Sequence, residues 1–155
     1  MALAHPEGRI ETDEIFMGIA LLASKLSNDK NCKVGACIVH NEKTIVGVGY
    51  NAMPDYRDSE FPFKKNKHNF LECKLTYVCH AELNAIVNKT CCNIRNSTIY
   101  VTRHPCNECA KLIVQFGIKS VVYKDNPHEG MNDVLAARRI FDTTGVTVRQ
   151  YIPRN

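Results

Sequence analysis

Residues 97–124 read STIYVTRHPCNECAKLIVQFGIKSVVYK. The opening STIYVT is rich in β-branched and aromatic residues and reads as a strand. Pro105 then breaks the run, and Cys106 to about Phe116, with KLIVQF inside it, reads as a helix that Gly117 ends at C′. KSVVYK is a second strand. A strand, a helix and a strand on short connections form a crossover unit, in which the strands run parallel and the connection is right-handed.

The flanking sequence extends this pattern in both directions. Upstream, VGACIVH and TIVGVGY are two β-rich runs separated by the polar NEK, the signature of a hairpin. Before them, Ile15, Ile19, Leu22 and Leu26 recur at helical spacing from an N-cap at Thr12 or Asp13, and SNDKN closes the segment. After Tyr50 no period is sustained for almost thirty residues, a length at which loops in compact domains are usually functional. A helix from about His80 to Asn88 follows. Beyond the quoted unit come a helix over Asp133–Phe141 and a last strand, VTVRQYI. The expected fold is α/β: three layers, α/β/α, around a mixed five-stranded sheet with an antiparallel opening hairpin and mostly parallel strands after it. Residues 1–155 read as one domain with no internal repeat.

Composition narrows the function classes. The 45% hydrophobic and 23% charged content is that of a globular protein and excludes a disordered or collagen-like chain. The net charge of +4, spread along the chain, suits an anionic small molecule better than nucleic acid. No apolar run approaches the roughly 18 residues of a membrane span, and MALAHPEGRIETDE has no secretory apolar core, so a cytoplasmic protein is expected. Eight cysteines in a reducing compartment point to metal ligands or buried thiols. Cys32 and Cys37 read as half-buried strand positions without a role.

In a sheet of this kind ligands sit where strands end and helices begin. Two such helix starts carry unusual residues. One is CHAEL around His80; in the other, PCNEC, Cys106 and Cys109 stand three apart on one helix face, where the helix N-terminus favours thiolates. Each motif alone has an ordinary explanation, a pair of buried thiols or a redox pair for one and a solvated helix face for the other. Together they match the zinc deaminase signature, H-x-E followed by P-C-x-x-C. Two thiolates and an imidazole are three ligands, so a tetrahedral zinc keeps one position open, as catalytic sites do. Glu82, two residues after His80, is then placed to move protons without binding the metal.

VGACIV, IVGVGYNAMP, YVCHAELNAI and PCNECAKLI together resemble the deoxycytidylate deaminases, and the likeness extends to GVTVRQYIP near the C-terminus. The resemblance implies a cytidine deaminase-like fold and zinc-dependent hydrolysis of dCMP to dUMP and ammonia, supplying thymidylate synthesis. It implies zinc ligation by His80, Cys106 and Cys109, with Glu82 passing protons to N3 and then to the leaving amine. Substrate contacts would come from Asn51 and Ala81, although Asn51 in YNAMP is also a reasonable turn residue.

Relatives are homo-oligomers, commonly hexamers, activated by dCTP with magnesium and inhibited by dTTP. The stretch matching their effector site is Gly49, Tyr50, Asn51 and Ala52, where Ala52 replaces the usual glycine. Some relatives hold a further zinc in the long segment, but His68, Cys73 and Cys79 fit no strong ligand spacing. For the 5′-phosphate the sequence offers Arg57, Lys64, Lys65, Lys67, Arg103, His104 and Lys111 without choosing among them. No tyrosine or tryptophan in DNPHEGMND can cover the substrate, which leaves Tyr77 as a candidate, and His128 reads as a loop residue. Two other activities compete: a dual dCMP/dCTP deaminase, differing only in phosphate contacts, and a nucleic-acid editing deaminase, which needs a basic groove with stacking aromatics. A zinc-stabilised binding module would have no use for Glu82.

Overall fold

A computed structural model describes residues 10–154. The elements in chain order are α1 (Thr12–Ser24), β1 (Gly35–His40), β2 (Thr44–Tyr50), a four-residue α2 (Lys74–Tyr77), α3 (Ala81–Val87), β3 (Thr98–Arg103), α4 (Asn107–Gln115), β4 (Ser120–Asp125), α5 (Asn132–Thr144) and β5 (Thr147–Gln150). They build a five-stranded sheet in the order β2-β1-β3-β4-β5. β1 is antiparallel to both β2 and β3, whereas β3, β4 and β5 run parallel. The opening hairpin turns through Asn41 and Glu42, whose φ angles of 52° and 62° suit the twist of the paired strands.

Alternation along the central strands divides their side chains between two cores. Cys37, Val39, Tyr100 and Val122 meet Phe16, Met17 and Ala20 of α1 on one face. Ala36, Ile38, Ile99, Val101 and Val121 meet α3, α4 and α5 on the other, through Ala81, Ala85, Ile113, Ala137 and Phe141. The sheet is therefore covered on both faces, and its central strands read as continuous apolar runs.

Two expectations for α1 are corrected. Glu11, and neither Thr12 nor Asp13, is the N-cap residue. The helical period over Ile15–Leu26 is right, but Ile15, Leu22 and Leu26 are 46%, 64% and 64% exposed, so these aliphatics point away from the sheet. α1 lies so close to β1 that a Cβ on Gly35 would stand 1.8 Å from the Ala20 carbonyl oxygen. Such an approach leaves room for Ala20 and Ala23 under the helix and puts bulky side chains outside.

The boundaries shift elsewhere too. α4 ends at Gly117, φ +77°, as expected. α5 runs on to Thr144 and stops at Gly145 in the left-handed region. β5 is shorter than VTVRQYI because its pairing with β4 ends at Gln150. The irregular stretch after Tyr50 holds two short 3-10 turns, Pro54–Tyr56 and Asp58–Glu60, besides α2. It leaves and rejoins the fold at one point, where Ala52 and Cys79 exchange backbone hydrogen bonds of 3.1 and 2.8 Å. That closure delivers the chain directly to His80. No helix among the described residues is long and apolar enough to cross a membrane.

Candidate active site

His80 is the N-cap residue of α3 and Cys106 that of α4, with Cys109 in the first turn of α4. The crossovers bring these helix starts together: His80 Nδ1 lies 3.5 Å from Cys106 Sγ and 3.4 Å from Cys109 Sγ. The three donor atoms are all within 4.8 Å of one another, and no other His, Cys, Asp or Glu group among the described residues meets that condition. His68, Cys73 and Cys79 form no such cluster.

A zinc ion with Zn–N of about 2.0 Å and Zn–S of about 2.3 Å at tetrahedral angles places nitrogen and sulfur roughly 3.6 Å apart, so the donor set fits. Its electrostatics agree. The hydrogen bond with the Cys109 thiol, helped by His80 and opposed by burial, draws Cys106 down to about 4. Cys109 is pushed well up by the same partnership and by burial. The hydrogen bond with Cys106 lifts His80 to about 9. A thiolate is thus favoured, together with positive charge beside it, the condition a divalent cation satisfies.

Glu82, at the second position of α3, is 4% exposed, and burial raises its carboxyl pKa. It lies beside Cys109 but does not belong to the triad. A carboxyl group beside a metal cluster, held partly protonatable by its surroundings, is suited to proton transfer.

The triad and Glu82 border a cavity of about 310 Å³. Ala81 lines it at the helix start, where backbone N–H groups lack intrahelical partners. Asn51 lines it as well, with its amide committed to the backbone: Oδ1 accepts from Val34 N at 2.8 Å and Nδ2 donates to Cys32 O at 2.8 Å. One amide hydrogen and one oxygen lone pair remain for a ligand. The turn role and the substrate role are compatible in this residue. The insertion contributes Leu75 and Val78 to the wall, and the β4–α5 region contributes Met131 and Val134.

The main chain of the stretch Gly49–Ala52 is engaged inside the fold. Gly49 and Tyr50 pair with Ala36 and Gly35, Asn51 N donates to Val34 O, and Ala52 bridges to Cys79. What this stretch presents outward is the Tyr50 ring, 5.6 Å from that of Tyr56. Ala52 is not among the residues at positive φ, so alanine in place of glycine brings no backbone strain.

Of the seven cationic candidates, Lys65, Arg103 and His104 line the cavity. Arg57 pairs with Asp55 and Glu60, and Lys111 with Glu108, all at exposed positions. Two expectations need correction. Tyr77 packs on Phe61 and donates to Leu71 O, away from the cavity. His128 lies in the β4–α5 loop, as expected, and from there lines the cavity. Cys32 precedes β1 and faces the cavity, where it accepts a hydrogen bond from Arg103 at 2.9 Å.

Sequence reading missed Lys74 and Asp29, an ion pair with both residues at most 4% exposed in the cavity wall. The isolated lysine of ECKLTY carries no signal that distinguishes it from its solvated neighbours. Burial works against the Asp29 carboxylate, but the Lys74 ammonium and the N–H groups of Asn31 and Cys32 outweigh it and lower its pKa. A depressed carboxyl contributes stability that is fully present above its unfolded value, 3.8, and is lost as pH falls through the folded value. Lys74→Met is expected to cost about 3 kcal/mol at neutral pH, because it leaves the Asp29 charge buried alone. The deficit shrinks as acid protonates Asp29; urea unfolding at neutral pH and at pH 3 checks both parts.

Residues 10–125 match the family profile described as the cytidine and deoxycytidylate deaminase zinc-binding region. Deoxycytidylate deaminase of Pongo abelii is 47% identical over 146 residues, 94% of this chain and 82% of that protein. The Homo sapiens protein of the same name is 46% identical over the same extent. Among solved structures, dCMP deaminase from the cyanophage S-TIM5 in complex with dCMP and dUMP superposes with a TM-score of 0.71 at 30% identity, covering 96% of this chain and 99% of that one.

Proposed function

Because the chain belongs to the cytidine and deoxycytidylate deaminase family, we propose that it hydrolyses dCMP to dUMP and ammonia. The observation that carries this reading is the buried Glu82 carboxyl beside, but outside, the His80–Cys106–Cys109 triad. His80, Cys106 and Cys109 would hold zinc. Bound there, zinc would supply the Lewis acidity that makes a water nucleophilic near neutral pH.

The chain's own groups do the rest. Ala81 and Asn51 border the base and sugar, and the apolar walls from Leu75, Val78, Met131 and Val134 exclude bulk water. Glu82 takes a proton from the attacking water and delivers it to N3 of the ring; a second transfer to the exocyclic nitrogen lets the C4–N bond break. Water oxygen remains on C4, ammonia leaves, and Glu82 ends as it began.

The finer parts of the proposal are supply of dUMP for thymidylate synthesis, activation by dCTP with magnesium, inhibition by dTTP, and assembly as a homo-oligomer, the hexamer of its relatives, in the cytoplasm. Effector control is supported by the Tyr50–Tyr56 pair and by the unstrained Ala52. Self-assembly is supported by the outward aliphatics Ile15 and Leu22 on α1 and Leu26 in the turn that follows it.

Ammonia release from dCMP, deoxycytidine, dCTP and CMP, with and without effector and magnesium, tests the reading. The expected result is turnover chiefly of dCMP, raised by dCTP and lowered by dTTP. Strong turnover of dCTP itself would move the assignment to a dual dCMP/dCTP enzyme, and no turnover of any nucleotide would remove it.

A further inference from the structure

The cations of the cavity are not equivalent. Lys74 is neutralised by Asp29 inside the wall. Arg103 has no salt-bridge partner among the described residues, although it is half-buried. Its contacts are a cysteine sulfur and an imidazole: Nη1 donates to Cys32 Sγ at 2.9 Å and lies 3.4 Å from His128 Nε2. A guanidinium has five N–H donors, so most of its capacity remains, and no carboxylate among the described residues stands within ion-pair distance of it. Desolvating an unpaired cation is costly unless an anion joins it.

Its position is also informative. Arg103 is the last residue of β3, three residues before Cys106, at the carboxyl end of a parallel strand. Cys32 comes from the α1–β1 connection and His128 from the β4–α5 connection, so contacts from two other segments steer the planar fork within the cavity.

We propose that Arg103, oriented by Cys32 and His128, is the specificity-determining residue that binds the 5′-phosphate of the substrate nucleotide. This rests on the deaminase reading for the identity of the nucleotide. A phosphate presents paired oxygens that match the guanidinium fork, and a bidentate charged contact of this kind discriminates strongly between a nucleotide and its nucleoside. Lys65, which also lines the cavity and has no salt-bridge partner among the described residues, adds positive potential without fixed geometry. Cys32 and His128 are positioning residues.

Calorimetric titration of zinc-loaded protein with dUMP and with deoxyuridine separates this role from a structural one. For Arg103→Leu the Kd of dUMP is expected to rise about 100-fold, while that of deoxyuridine stays within about twofold. Arg103→Lys keeps the charge but loses the fork, and about a tenfold rise for dUMP is expected; it also serves as the test if the leucine variant does not fold. In turnover, the KM for dCMP rises and deoxycytidine kinetics are unchanged. Equal weakening of both ligands, an unchanged dUMP Kd, or no preference of the wild type for dUMP over deoxyuridine would overturn the assignment. Wild-type protein that prefers dUMP through Arg103 yet releases no ammonia would instead overturn the deaminase reading alone.

Discussion

Glu82→Gln lowers kcat for ammonia release from dCMP by about 10²–10⁴-fold and leaves the zinc content unchanged. Glutamine has nearly the volume of glutamate and can keep the hydrogen bonds of a buried position, but it cannot accept a proton and return it. Glu82 stands outside the triad of donor atoms, so its loss takes no ligand from the metal. Its burial makes the pair of outcomes informative, since a charged-to-neutral change at a 4% exposed site removes a desolvation cost and does not threaten the fold. Zinc analysis, urea unfolding and turnover on one preparation give the answer. Retained turnover would take proton transfer away from Glu82, and loss of zinc alongside turnover would make it a support of the metal site.

The second large effect lies in the sheet. Gly49→Val is expected to cost at least about 3 kcal/mol in stability and to reduce turnover by about 100-fold or more. A Cβ on Gly49 would sit 2.2 Å from Ala85 N and 2.5 Å from Ala81 O. These are backbone atoms of α3, which cannot rotate aside as a side chain would. At Gly47 the same helix is met again, 2.4 Å from Ala85 O. Alternate glycines on β2 thus let α3 rest directly on the strand, and Ala81 and Ala85 complete the close approach. A side chain at position 49 must lift the helix that begins at His80 and carries Glu82, so fold and chemistry fail together. Denaturant midpoint, zinc content and turnover measured together test this; a stable, active, zinc-loaded valine variant would mean that α3 docks by other contacts.

The site was legible to different depths in the sequence. His80, Glu82, Cys106 and Cys109 could be read because zinc chemistry restricts ligand type and spacing within a few residues of chain, and because both motifs fall at helix starts. Lys74 and Asp29 were not legible: they are 45 residues apart and meet only after the insertion folds back. Arg103 is one of seven candidate cations, and what sets it apart is a guanidinium held in the cavity wall by Cys32 and His128 without a carboxylate partner. Tyr77 looked suited to cover the substrate by composition, yet its ring turns toward Phe61.

The succession of elements, the hairpin, the parallel crossovers and the grouping of His80, Cys106 and Cys109 follow from the sequence by itself, since each depends on local periodicity, turn residues or short spacing. The outward face of α1, the docking of α3 on glycines and the charge balance of the cavity are decided only by tertiary structure. They depend on how closely backbones approach and on which charges meet across long sequence separations, and neither quantity is encoded in any single segment of the chain.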